Sequence, residues 1–76
     1  MPAERARQAG DVVLTATKTA EYEFYRVETL VVSRQARTIV PTNAESFSSQ
    51  SDAVAEAYRR VEGTDRKVWR VTEEPD

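Results

Sequence analysis

The side chains that could carry chemistry in this chain are carboxylates, basic groups and hydroxyls, because the 76-residue sequence contains neither histidine nor cysteine. A serine or threonine nucleophile would therefore need a lysine or a carboxylate as its base. The two lysines, Lys18 and Lys67, lie in alternating, strand-like segments, and neither has a serine at the S-x-x-K spacing. We therefore predict that the protein is not an enzyme, and we assign no catalytic residue.

Closely spaced carboxylates could instead support glycoside hydrolysis or bind a hard cation. Three glutamates lie along one segment, but Arg26 lies among them, which is typical of a solvated sheet surface: Glu21, Glu23 and Glu28. A zinc site and a disulfide both need residue types that this sequence lacks. Gly10 and Gly63 are too far apart to form a glycine-rich phosphate loop. We expect no metal site and no small-molecule cofactor.

The charge balance gives little indication of a strongly charged partner. Eleven basic and thirteen acidic side chains leave a net charge of -2, too small to favour a polyanion on long-range electrostatics. The longest apolar run, Leu30-Val31-Val32, is far shorter than the roughly 20 residues that span a bilayer. We expect a cytoplasmic protein with no membrane partner.

The hydrophobic pattern has a period of two in four segments, which predicts four strands. These cover residues 12–17, 22–33, 36–40 and 66–72, with Pro41 ending the third strand and residues 42–45 forming a loop. Within the second strand, Tyr25, Val27, Thr29 and Val31 share the face that we expect to join the core. In the last strand we expect Trp69 and Val71 to face the core.

One segment has the period of a helix. Ser49-Gln50-Ser51-Asp52 has the pattern of a capping box, with Ser49 as the N-cap. An apolar stripe follows at helical spacing, and Gly63 is suited to end the helix. That stripe consists of Val54, Ala57, Tyr58 and Val61.

Together these elements predict a small α+β fold of order β-β-β-α-β. We expect an antiparallel sheet of three to four strands with one helix packed on one face. Residues 1–10 are interpreted as a mobile N-terminal tail, residues 11–72 as a single domain, and residues 73–76 as a frayed C-terminus. The position of the last strand in the sheet cannot be read from the pattern.

A single helix covers only one face of the sheet, so the opposite face is the predicted binding surface. We expect this face to present aromatic, basic and apolar side chains, with two further arginines on the adjoining hairpin. The partner-binding candidates are Phe24, Arg26, Glu28, Leu30 and Arg70, with Arg34 and Arg37 as secondary candidates.

The stretch Phe47-Ser48-Ser49-Gln50-Ser51-Asp52-Ala53 resembles the start of a helix that follows a meander in many small domains, among them the arm-type DNA-binding domains of tyrosine recombinases. In size and architecture the chain is also similar to many phage-encoded inhibitors of host defence or host enzymes.

Two functions of different classes follow. The first is a non-catalytic module that binds a protein partner, as a phage- or mobile-element-type inhibitor or accessory subunit, with self-association into a homodimer open. The alternative is a domain that binds single-stranded or duplex nucleic acid through arginine and aromatic residues on the sheet.

Overall fold

The computed structural model describes residues 6–74 and contains four strands and one helix in the order β-β-β-α-β. The helix packs against one face of the sheet, so the predicted small α+β fold is confirmed. The elements are β1 (Val12–Lys18), β2 (Glu23–Ser33), β3 (Thr38–Phe47), α1 (Gln50–Val61) and β4 (Val68–Glu73).

The sheet has the strand order β3-β2-β1-β4. The first three strands form the expected antiparallel meander, whereas β4 runs parallel to β1. A parallel neighbour needs a crossover connection, and α1 provides it. The sheet is therefore mixed, and β3 and β4 are its two edges.

β3 is longer than its sequence indicated. The prediction that Pro41 ends this strand and that residues 42–45 form a loop is wrong, because β3 continues to Phe47. An edge strand has hydrogen-bonded neighbours on one side only, so a proline is tolerated there. Asn43 adopts φ 55°, and the β2–β3 register shifts by one residue between Val27 and Thr29. This bulge bends the edge strand and lets Phe47 reach the core.

The core lies between the sheet and α1. Tyr25 and Val27 of β2 face the helix as predicted, and partly buried apolar residues pack around them. Val31, which was expected to join this core, is 37% exposed, so that part of the prediction is wrong. The helix contributes Ala53, Ala57 and Val61, spaced by four residues, rather than the whole predicted stripe. Tyr58 is 54% exposed, so its assignment to the core is wrong. The buried core residues are Val12, Leu14, Tyr25, Val27, Ala53, Ala57 and Val61.

The predicted helix ends are confirmed. The side chain of Ser49 accepts a hydrogen bond from the backbone N–H of Asp52. At the other end Gly63 follows the cap residue Glu62 with φ 76°, the left-handed conformation that favours glycine.

Arg60 joins the helix to the sheet. Its side chain is 8% exposed, and its Nε donates to the Glu56 carboxylate across 2.7 Å. One terminal nitrogen donates to the Thr29 hydroxyl at 3.2 Å, and the other lies 3.5 Å from Glu45. The sequence contains the Glu56–Arg60 spacing of a surface pair, but the structure buries this arginine against β2 and β3.

Asp11 joins the start of β1 to β4 and to the preceding segment. The residue is fully buried, and its carboxylate accepts hydrogen bonds from the backbone N–H of Gln8 and Lys67 and from the indole of Trp69. Gly10 donates its backbone N–H to the carbonyl of Leu30 at 2.8 Å. Residues 8–10, which we expected to be a mobile tail, thus contact the sheet. Glu73, from the stretch expected to fray, is the last residue of β4. The other terminal residues of those two stretches, 1–5 and 75–76, lie outside the described residues.

Candidate protein-binding face

The sheet face opposite α1, called the open face below, carries the predicted β2 residues. Tyr25 and Val27 point into the core, so the residues between and beside them point away from the helix. The β1–β2 register brings three β1 residues to the same face, Val13, Thr15 and Thr17. Four predicted candidates therefore share the open face, as the alternation of β2 indicated: Phe24, Arg26, Glu28 and Leu30.

A cleft of about 400 Å³ crosses the open face from β3 to β4. Its floor contains Val13, Thr15 and Leu30, which are only 8%, 4% and 6% exposed although no helix covers them. Its apolar walls come from the two edge strands, and charged side chains lie among the lining residues. The residues that line the cleft besides the floor are Arg7, Glu28, Ile39, Pro41, Val71 and Glu73. A cleft with an apolar floor and charged residues among its lining suits an apolar side chain that has polar groups next to it.

The charges on the open face largely compensate one another. Arg26 Nε lies 2.8 Å from Glu28 Oε1, and the two side chains are 34% and 16% exposed. Arg7 and Glu73 add one further charge of each sign to the cleft. The cleft therefore has no excess of positive charge with which to neutralise phosphates.

Arg70 does not belong to the open face, which corrects the sequence prediction. The parallel β1–β4 register pairs Arg70 with the core residue Leu14, so its side chain lies on the helix side of the sheet. There it lines a smaller cleft of about 90 Å³ together with Lys18 and Gln50, among others. Arg70 thus lies apart from Arg26, on the opposite side of the sheet.

The same register places Trp69 and Val71 on the open face, opposite Val13 and Thr15. Their predicted assignment to the helix-side core is wrong, and Val68 packs against that core instead. The indole N–H of Trp69 needs a partner when it is half-buried, and Asp11 provides it at 2.9 Å. Lys67 Nζ also lies 4.0 Å from the centre of the indole ring.

Phe24 lies near the start of β2 and is not among the residues that line the cleft. Its ring stacks on Tyr22 with centroids 5.6 Å apart, and Tyr22 is 54% exposed. Phe24 pairs with Thr17, whose hydroxyl is buried without a hydrogen bond to any described residue. Phe24 therefore forms an aromatic patch with Tyr22 that is separate from the cleft.

The two secondary candidates, Arg34 and Arg37, lie in the β2–β3 turn and are exposed. Arg37 adopts φ 54° there. The strand ends beside this turn carry apolar side chains that the helix does not cover, since Val32 is 61% exposed. Val32 pairs with Ile39, which lines the cleft, so apolar surface continues from the cleft toward the arginines.

Sequence reasoning missed the cleft residues contributed by the edge strands: Ile39, Pro41, Val71 and Glu73. Residues 36–40 do not alternate between apolar and polar side chains, so Ile39 was assigned to no face, and Pro41 was expected to end the strand. For Val71 and Glu73 the missing information was the pairing of β4 with β1, which no local pattern encodes.

Comparison of the chain with protein-family models, curated proteins and solved structures gave no match. Within residues 6–74 no three carboxylates are grouped closely enough to hold a metal ion. No helix in that part of the chain has the length and apolar character needed to cross a membrane.

Proposed function

We propose that this protein is a non-catalytic module that binds a protein partner through the open face, as a small inhibitor or accessory subunit. The observation that carries the proposal is the cleft whose floor of Val13, Thr15 and Leu30 is almost fully buried while its mouth is open. An apolar side chain of a partner would fill this cleft, and such anchors dominate the energy of protein interfaces. We place this binding in the cytoplasm, as expected from the composition.

The hairpin extends the proposed surface. Val32 and Ile39 continue the apolar surface from the cleft, and Arg34 and Arg37 supply exposed cations at its end. Arginine beside exposed apolar side chains is enriched at protein interfaces. A partner that fills the cleft could therefore also contact the two arginines through carboxylates.

The charges favour a protein over a nucleic acid as the partner. Arg26 is paired with Glu28, and Arg70 lies on the helix side of the sheet. Binding of a phosphate backbone needs cations that can release its counterions. The nucleic-acid alternative thus depends on the Tyr22–Phe24 stack and the hairpin arginines, without the basic open face that motivated it.

The test is affinity capture from a lysate of the source cells, with and without nuclease, using the wild-type protein and two variants. Ile39→Glu puts a charge on the cleft wall, and Tyr58→Glu puts the same charge on the exposed side of α1. We expect one stoichiometric protein that resists nuclease, is retained by Tyr58→Glu and is lost with Ile39→Glu. Equal capture by both variants would contradict the cleft, and capture that disappears with nuclease would favour the nucleic-acid alternative.

A further inference from the structure

We propose that two copies of this chain form a dimer by pairing the outer edges of their β4 strands antiparallel, which joins the two sheets into one of eight strands. This inference concerns the edge of the sheet and does not depend on the cleft function proposed above. It follows from the contrast between the two edges, from the direction of the free backbone groups and from the charge pattern along β4.

The two sheet edges differ in how they are protected. β3 carries Pro41, which has no N–H, and a bulge at Asn43, two features that discourage pairing with another strand. Along β4, Val68–Glu73, there is neither a proline nor a glycine, and the register with β1 is regular over six residues. Within the described residues no strand lies beyond β4. β4 is thus the edge suited to accept another strand.

The β1–β4 ladder shows which backbone groups are free. The carbonyl of Lys67 accepts from the backbone N–H of Val12 at 3.0 Å, so Lys67 faces inward. Because successive residues of a strand alternate, Trp69 and Val71 also direct their backbone groups toward β1. The outward groups are then those of Val68, Arg70 and Thr72.

The charge pattern favours a second copy in antiparallel orientation. β4 is preceded by Arg66 and Lys67 and ends at Glu73, which Glu74 follows. Antiparallel pairing of two identical strands brings the basic start of each next to the acidic end of the other, whereas parallel pairing aligns like charges. Opposite charges on neighbouring strands stabilise a sheet, and like charges destabilise it. The strand is therefore complementary to itself.

The pairing register follows from the faces and the charges. If the two helices lie on the same side of the joined sheet, directly opposed residues must come from the same face of each copy. Centring the pair on Arg70 would put Lys67 directly opposite the other Glu73, but it would also put two arginines opposite each other at the two-fold axis, which is unfavourable. Centring it on Val71 removes that repulsion and keeps Lys67 diagonal to the other Glu73, within reach of a long side chain. Centring it on Val71 puts Val71 opposite its own copy, Trp69 opposite the other Glu73, and Arg70 opposite the other Thr72. We assign the register centred on Val71.

This arrangement also brings the two open-face clefts side by side. Val71 and Glu73 line the cleft of each copy, so the two clefts would meet across the new strand pair. A partner could then contact both clefts of the dimer at once, which raises avidity without new contacts.

The absence of cysteine allows a direct test of the register with single-cysteine variants. In the assigned register Val71 forms a pair without backbone hydrogen bonds to its own copy, where Cβ atoms approach closely enough for a disulfide. We expect Val71→Cys to form a covalent dimer on mild oxidation. Arg70→Cys and Thr72→Cys should cross-link far less, and so should Val32→Cys, an exposed control on β2.

A second pair of variants tests the backbone hydrogen bonds without cross-linking. Thr72→Pro removes one outward N–H and leaves the β1–β4 ladder intact, whereas Thr72→Val keeps that N–H. We expect the mass from light scattering to rise from 8.6 kDa toward twice that value with concentration for the wild type and Thr72→Val. Thr72→Pro should stay at the monomer mass.

A wild-type chain that remains monomeric at every concentration would overturn the dimer. Dimerisation of Thr72→Pro as strong as that of Thr72→Val would overturn the β4 edge as its interface. Faster cross-linking of Arg70→Cys or Thr72→Cys than of Val71→Cys would overturn the assigned register.

Discussion

The indole Nε1 of Trp69 donates a hydrogen bond to Oδ2 of Asp11 across 2.9 Å, and these residues are 58 positions apart in the chain. This bond holds β4 beside β1 at the end where the two strands begin. The same carboxylate accepts the backbone N–H groups of Gln8 and Lys67. One buried side chain therefore fixes the position of β4, and with it the side of the cleft formed by Val71 and Glu73.

We predict that Asp11→Asn destabilises the fold strongly. An amide has one acceptor oxygen where the carboxylate has two, so at least one N–H donor would face the amide nitrogen without a partner. The loss of unfolding free energy should be about 2–4 kcal/mol, since buried unpaired polar groups and lost charged acceptors each cost in that range. Urea denaturation of both proteins measures it.

The matched control is Asp65→Asn, because the Asp65 side chain is 86% exposed and contacts Arg66 at the surface. That variant should change stability by no more than about 0.5 kcal/mol. Equal stability of the two variants would show that Asp11 does not hold β4.

Trp69→Phe isolates the indole hydrogen bond from the burial of the ring. Phenylalanine keeps most of the apolar area and removes the N–H that Asp11 accepts. We expect a loss of about 1–2 kcal/mol in the wild-type background. In the Asp11→Asn background the loss should be smaller, which a double-mutant cycle would measure. Strict additivity would indicate that the bond contributes nothing.

Arg59 and Arg60 both bind Glu56, and they should differ in importance. The Arg59 side chain is 68% exposed, whereas that of Arg60 is 8% exposed and also contacts β2 and β3. Arg60→Ala should cost about 2–4 kcal/mol, because it removes a buried side chain whose packing and hydrogen bonds join α1 to β2 and β3. Arg59→Ala should cost far less than Arg60→Ala, because water screens an exposed ion pair. Thermal or urea unfolding of the two variants distinguishes them, and similar losses would contradict the joining role of Arg60.

Acid should weaken the fold partly through Glu56. Hydrogen bonds from Arg59 and then Arg60 lower the pKa of this carboxyl from 4.5 to about 2. A carboxyl with a depressed pKa in the folded state stabilises the fold above its unfolded pKa, and that contribution is lost as the pH falls through the folded pKa. The wild type should therefore be more stable than Glu56→Gln at neutral pH.

This difference should shrink as the pH falls from about 4.5 through about 2, because the carboxyl is neutral in both states only below the folded pKa. Urea denaturation of the two proteins across that range measures it. A stability difference that does not depend on pH would show that packing, rather than charge, makes Glu56 important.

Gly10 should be more sensitive to substitution than Gly63. Gly10 has φ 94°, and a Cβ there would lie 3.0 Å from Cδ of Arg66. Gly63 has φ 76° with nothing within 4 Å of such a Cβ. Gly63→Ala should cost about 1 kcal/mol from backbone strain alone, and Gly10→Ala should cost about 1–3 kcal/mol. The order of the two melting temperatures checks this, and a reversed order would contradict it.

Much of the candidate face could be predicted because the residue pattern of β2 indicates which of its two faces is exposed to solvent. Arg26 and Glu28 lie between aromatic and aliphatic neighbours, so the alternation and the cost of burying charge together indicate which side faces solvent. For β4, in contrast, the residue pattern led to the wrong choice of face. Its large apolar residues, Trp69 and Val71, alternate with Val68 and Arg70, and the apparent choice of Trp69 for the helix-side core was wrong.

The sequence by itself determined the local features of this protein. The strand and helix periods depend only on residues close together in the chain, and so do the Ser49 cap and the helix end at Gly63. The sequence is therefore enough to predict them. The tertiary structure alone decided that β4 lies parallel to β1, that β3 bends through a bulge at Asn43 and that a cleft forms between the edge strands. These features depend on hydrogen bonds between distant segments, such as that from Val12 to Lys67. A period of two defines the two faces of a strand, and only the register with its neighbour decides which of them meets the helix.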